Sequence, residues 1–256
     1  MHSSTGNARV LARWPIAFGR AMHRYRNSDP RKSVRTAYVV ALGRGLMDLT
    51  DTTTLLLVRH GHVPGIEPAT FRGRTDIQLT ERGVLQARST AQWISKRWRP
   101  TIVYTSPRKR CIDTAGAIAS LCGVNTQVPS FLDDIDYGDW QSKTHDEVAT
   151  ACPTAYHRWR TTPQLVRFPN GESLQDLLGR AADAMRLALE KHPAQTIVMV
   201  SHDSLNRALL MHVLDQPPSA YWRFVQAPCA INEMSLTADR TVVMNMNQTA
   251  HLEALS

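Results

Sequence analysis

LLLVRHGHV, residues 55–63, is the stretch of sequence that decides the fold. It begins with four apolar residues, a length and composition typical of a buried strand. Arg59, His60, Gly61 and His62 follow without a spacer. A cation, a glycine and two imidazoles therefore stand at the carboxyl end of a core strand, which is where open α/β sheets bind their ligands.

The sequence around this stretch alternates further apolar runs with helical periodicity. Thr101–Ser106 and Thr196–Ser201 resemble core strands, and β-rich segments at about 231–237 and 241–246 close the chain. Apolar residues spaced by three and four predict helices between the strands, with faces at Val84, Ala87, Ala91, Ile94 and Trp98 and at Leu174, Leu177, Leu178, Ala181, Met185 and Ala188. The alternation predicts an α/β three-layer sandwich, in which a mostly parallel central sheet carries helices on both faces.

The positive charge of the chain is concentrated at its N-terminus. Residues 1–50 hold nine lysines and arginines against two acidic residues, which accounts for +7 of the net charge of +8. We therefore divide the chain into a basic N-terminal extension, residues 1–50, and a main domain, residues 51–256. Because the domain itself is nearly neutral, we expect no nucleic-acid partner.

The extension contains a candidate amphipathic helix. One helical face would collect its large apolar residues, namely Val10, Leu11, Trp14, Phe18, Ala21 and Met22. A basic helix of this kind contacts anionic membrane surfaces or acts as a transit segment, and the alternatives are a helix packed on the domain or a disordered tail.

The sequence also leaves open that the protein forms a homodimer.

The remaining composition indicates a cytoplasmic protein with reduced thiols. The four cysteines are scattered without a paired spacing, so neither a disulfide framework nor a zinc site is expected. The longest apolar run, residues 38–47, is too short to cross a bilayer and contains Arg44. The first 28 residues lack the apolar centre of a secretory signal peptide.

Polar clusters follow all three predicted core strands. Arg59 and His60 follow the first, Arg108 and Arg110 the second, and His202 the third. If the strands are neighbours, these cations share one crevice and repel each other unless an anion lies between them. Because guanidinium groups bind phosphate in a bidentate manner, the cluster predicts a phosphate site in which a neutral histidine can attack phosphorus.

Several separated motifs resemble those of the histidine phosphatase superfamily, in its phosphoglycerate-mutase-like branch. LLLVRHGHV is similar to the RHG signature, and the resemblance extends in order over about residues 54–246. The other matching motifs are FRGRTDIQLTERG (71–83), SPRKRCIDTA (106–115), FLDDIDYGDW (131–140), NGESL (170–174) and VSHDSLNRALL (200–210).

The resemblance implies a role for each matching residue. It makes His60 the nucleophile, and it makes Arg59, Arg110 and His202 the phosphate pocket, with Gly61 allowing a close backbone approach. Neither a metal ion nor another cofactor is implied. His62, Arg74 and Glu172 are candidate substrate contacts. For Glu172 an equal alternative is that it only precedes a helix start, because Ser173-x-x-Asp176 is a helix capping box.

Two aspartates are candidates for the proton donor to the leaving group. Asp134 stands where this branch has a glutamate, and the other motifs also match this branch. Asp203 directly follows His202, where the acid-phosphatase branch has its donor.

The resemblance implies a phosphomonoesterase that acts on a small phosphorylated metabolite through a phosphohistidine. Two alternatives stay open, namely a phosphoglycerate-type mutase and a catalytically idle binding or scaffold member. His62, Val63 and Ile66 replace residues that shape the substrate side of the pocket in mutases, which favours the hydrolase.

We predict that residues 51–256 alone fold and keep full phosphatase activity, because the charge and composition of residues 1–50 set them apart from the domain. Circular dichroism, thermal unfolding and phosphate release would be compared between this fragment and the full chain. An insoluble or unfolded fragment would show instead that residues 1–50 belong to the core.

Overall fold

The computed structural model describes residues 52–255. The predictions for residues 1–50, which concern the amphipathic helix and its membrane or transit role, lie outside the described residues. The domain boundary, the homodimer and the cytoplasmic location also stay predictions.

A six-stranded mixed sheet forms the centre of the fold. Its strands are β1 (Thr53–Arg59), β2 (Pro100–Thr105), β3 (Thr126–Gln127), β4 (Thr196–Ser201), β5 (Ile231–Leu236) and β6 (Thr241–Gln248), in the spatial order β3-β2-β4-β1-β5-β6. Strands β1 to β4 pair in parallel, whereas β5 and β6 pair antiparallel. The predicted mostly parallel sheet is confirmed, and the sequence missed only β3, which is too short to show a period.

Among the described residues, six α-helices accompany the sheet. They are α1 (Glu81–Arg97), α2 (Lys109–Cys122), α3 (His145–Ala151), α4 (Pro153–Thr161), α5 (Leu174–Lys191) and α6 (Asp203–Val213). The capping box predicted at Ser173 is present, because the Ser173 hydroxyl accepts from the Asp176 N–H and the Asp176 carboxylate accepts from the Ser173 N–H.

Strand β1 is buried on both faces, and its alternate side chains serve two different core clusters. Leu55 and Leu57 pack in the larger cluster with apolar residues of α5 and α6. Leu56 and Val58 pack in a second cluster with residues of α1 and α2. Because successive side chains of a strand point to opposite faces, four consecutive apolar residues place one helical layer on each side of the sheet. The predicted three-layer sandwich is therefore confirmed.

The sheet order brings the three polar strand ends together. Strand β4 lies between β1 and β2, with Arg59 opposite Ser201 and Thr105 opposite Val200. The chain therefore leaves all three strands at one edge of the sheet, and the residues that follow them face a common crevice.

Two further findings concern membrane spans and thiols. Among residues 52–255, no helix combines the length and the apolar composition needed to cross a bilayer. All four cysteines, Cys111, Cys122, Cys152 and Cys229, are free thiols, as the sequence predicts.

Candidate active site

His60 lies at the end of β1 and is 1% exposed. Its backbone N–H donates to the Ser201 carbonyl at 3.0 Å, which ties it to β4. Its ring Nδ1 lies 2.7 Å from the Gly61 carbonyl oxygen. Since a carbonyl only accepts, Nδ1 carries the proton, and Nε2 is left with a free lone pair.

The surroundings of His60 keep its imidazole neutral. Burial, and then the positive charges of Arg110 and Arg59, lower the pKa of His60 well below its ordinary value. A neutral imidazole whose Nδ1 proton is held by a carbonyl is the form that can act as a nucleophile through Nε2.

Gly61 is required by a close approach between two backbones. A Cβ on Gly61 would lie 2.6 Å from the Gly83 carbonyl oxygen in the first turn of α1. The Gly61 N–H donates to the Thr114 hydroxyl at 3.1 Å. In the structure the missing side chain admits helix α1, and the predicted close approach of this backbone to an anion stays a prediction.

Arg110, in the first turn of α2, is completely buried and connects several parts of the site. Its guanidinium donates to the carbonyl oxygens of Thr75 and Gly73, each at 2.7 Å. It also pairs with the Asp134 carboxylate at 3.1 Å. Arg59 is nearly as buried and donates to the Gln226 carbonyl. The positive charges of both predicted phosphate-binding arginines lower the pKa of His60, which indicates that both lie near its ring.

His202 is the N-cap residue of α6, and its ring centre lies 5.3 Å from that of His60. Its Nδ1 is 3.0 Å from an Arg110 guanidinium nitrogen, and its Nε2 is 2.7 Å from the Ser106 hydroxyl. Because Arg110 can only donate, we assign the proton to Nε2, which then donates to Ser106. Burial and the charges of Arg110 and Arg180 lower the pKa of His202 well below its ordinary value.

The two candidate proton donors lie in different surroundings. Asp134 is nearly buried, and its oxygens accept from Arg110, from the Ile135 N–H at 2.9 Å and from the Ser204 hydroxyl. Asp203 begins α6, and one of its oxygens pairs with Arg207 at 2.8 Å. Both aspartates line the same pocket.

This pocket opens over His60. Its other lining residues are Thr70, Arg72, Gly73, Asp134, Tyr137, Asp203 and Ser204. Arg59, Arg110 and His202 are buried and are not among the residues that line the pocket. Arg72 and Ser204 were missed by the sequence analysis. Both lie inside quoted motifs, but nothing in their spacing indicates that they face the pocket.

Arg74 and Glu172, two candidate substrate contacts, belong to an ion-pair network outside the pocket lining. Arg74 pairs with Glu172 at 2.8 Å and with Asp136 at 3.3 Å. The second Glu172 oxygen accepts from Arg180 at 2.8 Å and from the Asp136 N–H at 3.0 Å. The structure thus gives both residues protein partners that position the 133–138 segment.

His62, the third candidate substrate contact, also bonds to protein groups. Its ring Nδ1 lies 3.0 Å from the Thr80 hydroxyl, and its N–H donates to the Gln86 side chain at 2.9 Å. These contacts fasten the strand end to the start of α1.

Across residues 52–255, no group of three or more histidine, cysteine or acidic side chains is arranged to hold a metal ion.

Comparisons with known proteins agree with this geometry. Residues 55–249 match the family model of the histidine phosphatase superfamily, branch 1. Phosphoserine phosphatase 1 of Hydrogenobacter thermophilus is 31% identical over 77% of this chain and 93% of that protein. Bacillus stearothermophilus YhfR superposes with a TM-score of 0.75 at 25% identity, covering 78% of this chain and 100% of that one. A phosphoserine phosphatase of Entamoeba histolytica in complex with 3-phosphoglyceric acid superposes with a TM-score of 0.70 at 26% identity, over 78% and 99% of the two chains.

The lowered pKa values of His60 and His202 predict a loss of stability in acid. Below the unfolded-state pKa of 6.5, the unfolded chain binds protons that the native imidazoles do not bind. The contribution of these histidines to the free energy of unfolding is therefore fully present above that pH and is lost as the pH falls below it. We expect His60→Gln to reduce the pH slope of that free energy by roughly 1 kcal/mol per pH unit between about pH 6 and 5. Urea unfolding across this range measures the slope, and an unchanged slope would contradict the assignment.

Proposed function

Because the chain belongs to the histidine phosphatase superfamily, branch 1, and is a phosphatase of small phosphorylated metabolites, we propose that His60 carries the phosphoryl group during hydrolysis. The observation that supports this best is the His60 Nδ1 contact with the Gly61 carbonyl at 2.7 Å, which leaves Nε2 unprotonated in a pocket. Attack by Nε2 forms the N–P bond as the ester P–O bond breaks, and water then hydrolyses the phosphohistidine.

Positive charge around His60 stabilises the transferring phosphoryl group in this proposal. Arg59 and Arg110 supply guanidinium groups, and the N-terminus of α6 at His202 adds the positive end of a helix dipole. Burial of Arg59 and Arg110 strengthens their attraction for an anion, because little water screens them. His202 holds Arg110 in place through its 3.0 Å contact and lies beside the phosphoryl site.

Asp134 is the proposed proton donor. It lines the pocket with His60, and Ser204 and the Ile135 N–H fix its carboxyl group. In this proposal the bound phosphoryl group also contacts Arg110, so its negative charge lies close to the Asp134 carboxylate. A proton shared between the ester oxygen and Asp134 relieves the repulsion between these two groups. Asp203 is the alternative, because it lines the same pocket and only one of its oxygens pairs with Arg207.

His60→Ala should lose activity by about a thousandfold or more while folding normally, because no other side chain in the pocket replaces the phosphoryl acceptor. With a ³²P-labelled phosphomonoester and an alkaline quench, the unaltered protein should show an acid-labile label and His60→Ala should show none. His157→Ala, at an exposed histidine, is the matched control and should keep the label. Turnover near that of the unaltered protein in His60→Ala would refute the phosphohistidine proposal.

The proton donor is identified by its dependence on the leaving group. Asp134→Asn should strongly slow hydrolysis of an alkyl phosphate but spare phosphorylation by nitrophenyl phosphate, whose leaving group hardly needs a proton. Burst kinetics with nitrophenyl phosphate and steady-state release from an alkyl phosphate measure the two cases. If Asp203→Asn alone shows the selective loss, Asp203 is the donor; an equal loss with both substrates in Asp134→Asn would also rule out Asp134.

A further inference from the structure

Arg72 is a pocket residue whose charge the proposed chemistry does not use. It lines the pocket over His60, between the buried Phe71 and Gly73. One of its guanidinium nitrogens donates to the Gly65 carbonyl. Among the described residues, no carboxylate lies within ion-pair distance of Arg72, so its remaining N–H groups have no anionic partner from the protein.

Neighbouring arginines are engaged differently. Arg74 and Arg180 both pair with Glu172, and Arg108 pairs with Asp133 at 3.0 Å. Arg110, completely buried, pairs with Asp134. Among the described residues, Arg72 therefore stands out as a pocket-lining arginine that forms no ion pair with a carboxylate.

Arg72 differs from the two proposed phosphate-binding arginines in its exposure. Arg59 and Arg110 are buried and do not line the pocket, whereas Arg72 is partly exposed and lines it with Thr70 and Tyr137. A substrate whose phosphorus meets His60 must place its leaving group outward, towards the opening through which the product departs. Because Arg72 is more exposed than Arg59 and Arg110, we infer that it lies on that outer side.

The backbone around Arg72 is held in one arrangement. The Arg72 N–H donates to the Thr70 carbonyl and the Thr75 N–H donates to the Arg72 carbonyl, each at 3.0 Å. Arg110 binds the carbonyls of Gly73 and Thr75 from behind. The loop that carries Arg72 is thus positioned by the Arg110 guanidinium, and such preorganisation favours recognition of a rigid spacing between two anionic groups.

We propose that Arg72 is a specificity-determining residue that binds a carboxylate carried by the leaving group. The preferred substrates are then small phosphomonoesters with a carboxylate a few bonds from the ester oxygen. A planar guanidinium fork matches a carboxylate. A second phosphate dianion fits less well, because Asp134 and Asp203 line the same pocket and repel it more strongly than a monoanion. This inference rests on the proposed function, because it assumes that the phosphoryl group lies at His60.

The test compares O-phosphoserine with O-phosphoethanolamine, which lacks only the carboxylate. The unaltered protein should prefer phosphoserine. Arg72→Gln should lower kcat/KM for phosphoserine on the order of 10- to 100-fold, mainly through KM, and should change phosphoethanolamine little. Arg72→Lys should recover part of the preference, because it keeps the charge but not the bidentate fork. Arg186→Gln, at an exposed arginine of α5, is the matched control and should leave the preference unchanged.

The outcomes separate this inference from the proposed function. An equal loss with both substrates in Arg72→Gln would assign Arg72 to the phosphoryl group or to folding, and it would overturn the inference while hydrolysis through His60 stands. The same holds if the unaltered protein does not prefer phosphoserine. Hydrolysis of nitrophenyl phosphate by the unaltered protein is measured in parallel, and its absence would refute the proposed function itself.

Discussion

The buried guanidinium of Arg110 is the interaction on which the site depends. A charge removed from water is tolerated only when its surroundings satisfy it, and both terminal nitrogens of Arg110 have partners in the Thr75 and Gly73 carbonyls, the Asp134 carboxylate and the His202 ring. The buried Nε of Arg110 has no partner among the described residues. These partners come from three separate chain segments. Because a single group binds all of them, the loop that forms the pocket wall, the candidate acid and the second histidine are positioned together.

The same arrangement accounts for the state of His60. Burial and nearby guanidinium groups oppose a positive charge on this imidazole, while the Gly61 carbonyl holds its Nδ1 proton. The free lone pair therefore resides on the opposite nitrogen. The same surroundings have opposite effects on anion binding and on stability. A cationic, water-poor site favours binding of a phosphoryl anion, but it opposes protonation of its histidines and so lowers the stability of the native state in acid.

A second layer of charges supports the first. Arg74 pairs with Glu172 and Asp136, Arg180 pairs with Glu172, and Arg108 pairs with Asp133. Arg180 also donates to the Asp134 carbonyl at 3.0 Å. This network holds the segment that carries Asp134. The sequence could not reveal this network, because charged loop residues have the same composition whether they bind a ligand or each other. The substrate role of Arg74 and Glu172 stays a prediction.

The sequence by itself determined the sheet, its helical layers, the family and the strand-end cluster, because period-two and period-3.6 patterns and the RHG motif are local properties of the chain. Only the tertiary structure decided which polar residues face the pocket. Arg72 and Arg74 are two residues apart in one loop, yet Arg72 lines the pocket and Arg74 joins the ion-pair network. Gly61 likewise required the structure, since its contact is with Gly83 on α1. Loops lack a period, so the direction of their side chains is set by long-range contacts such as those of Arg110.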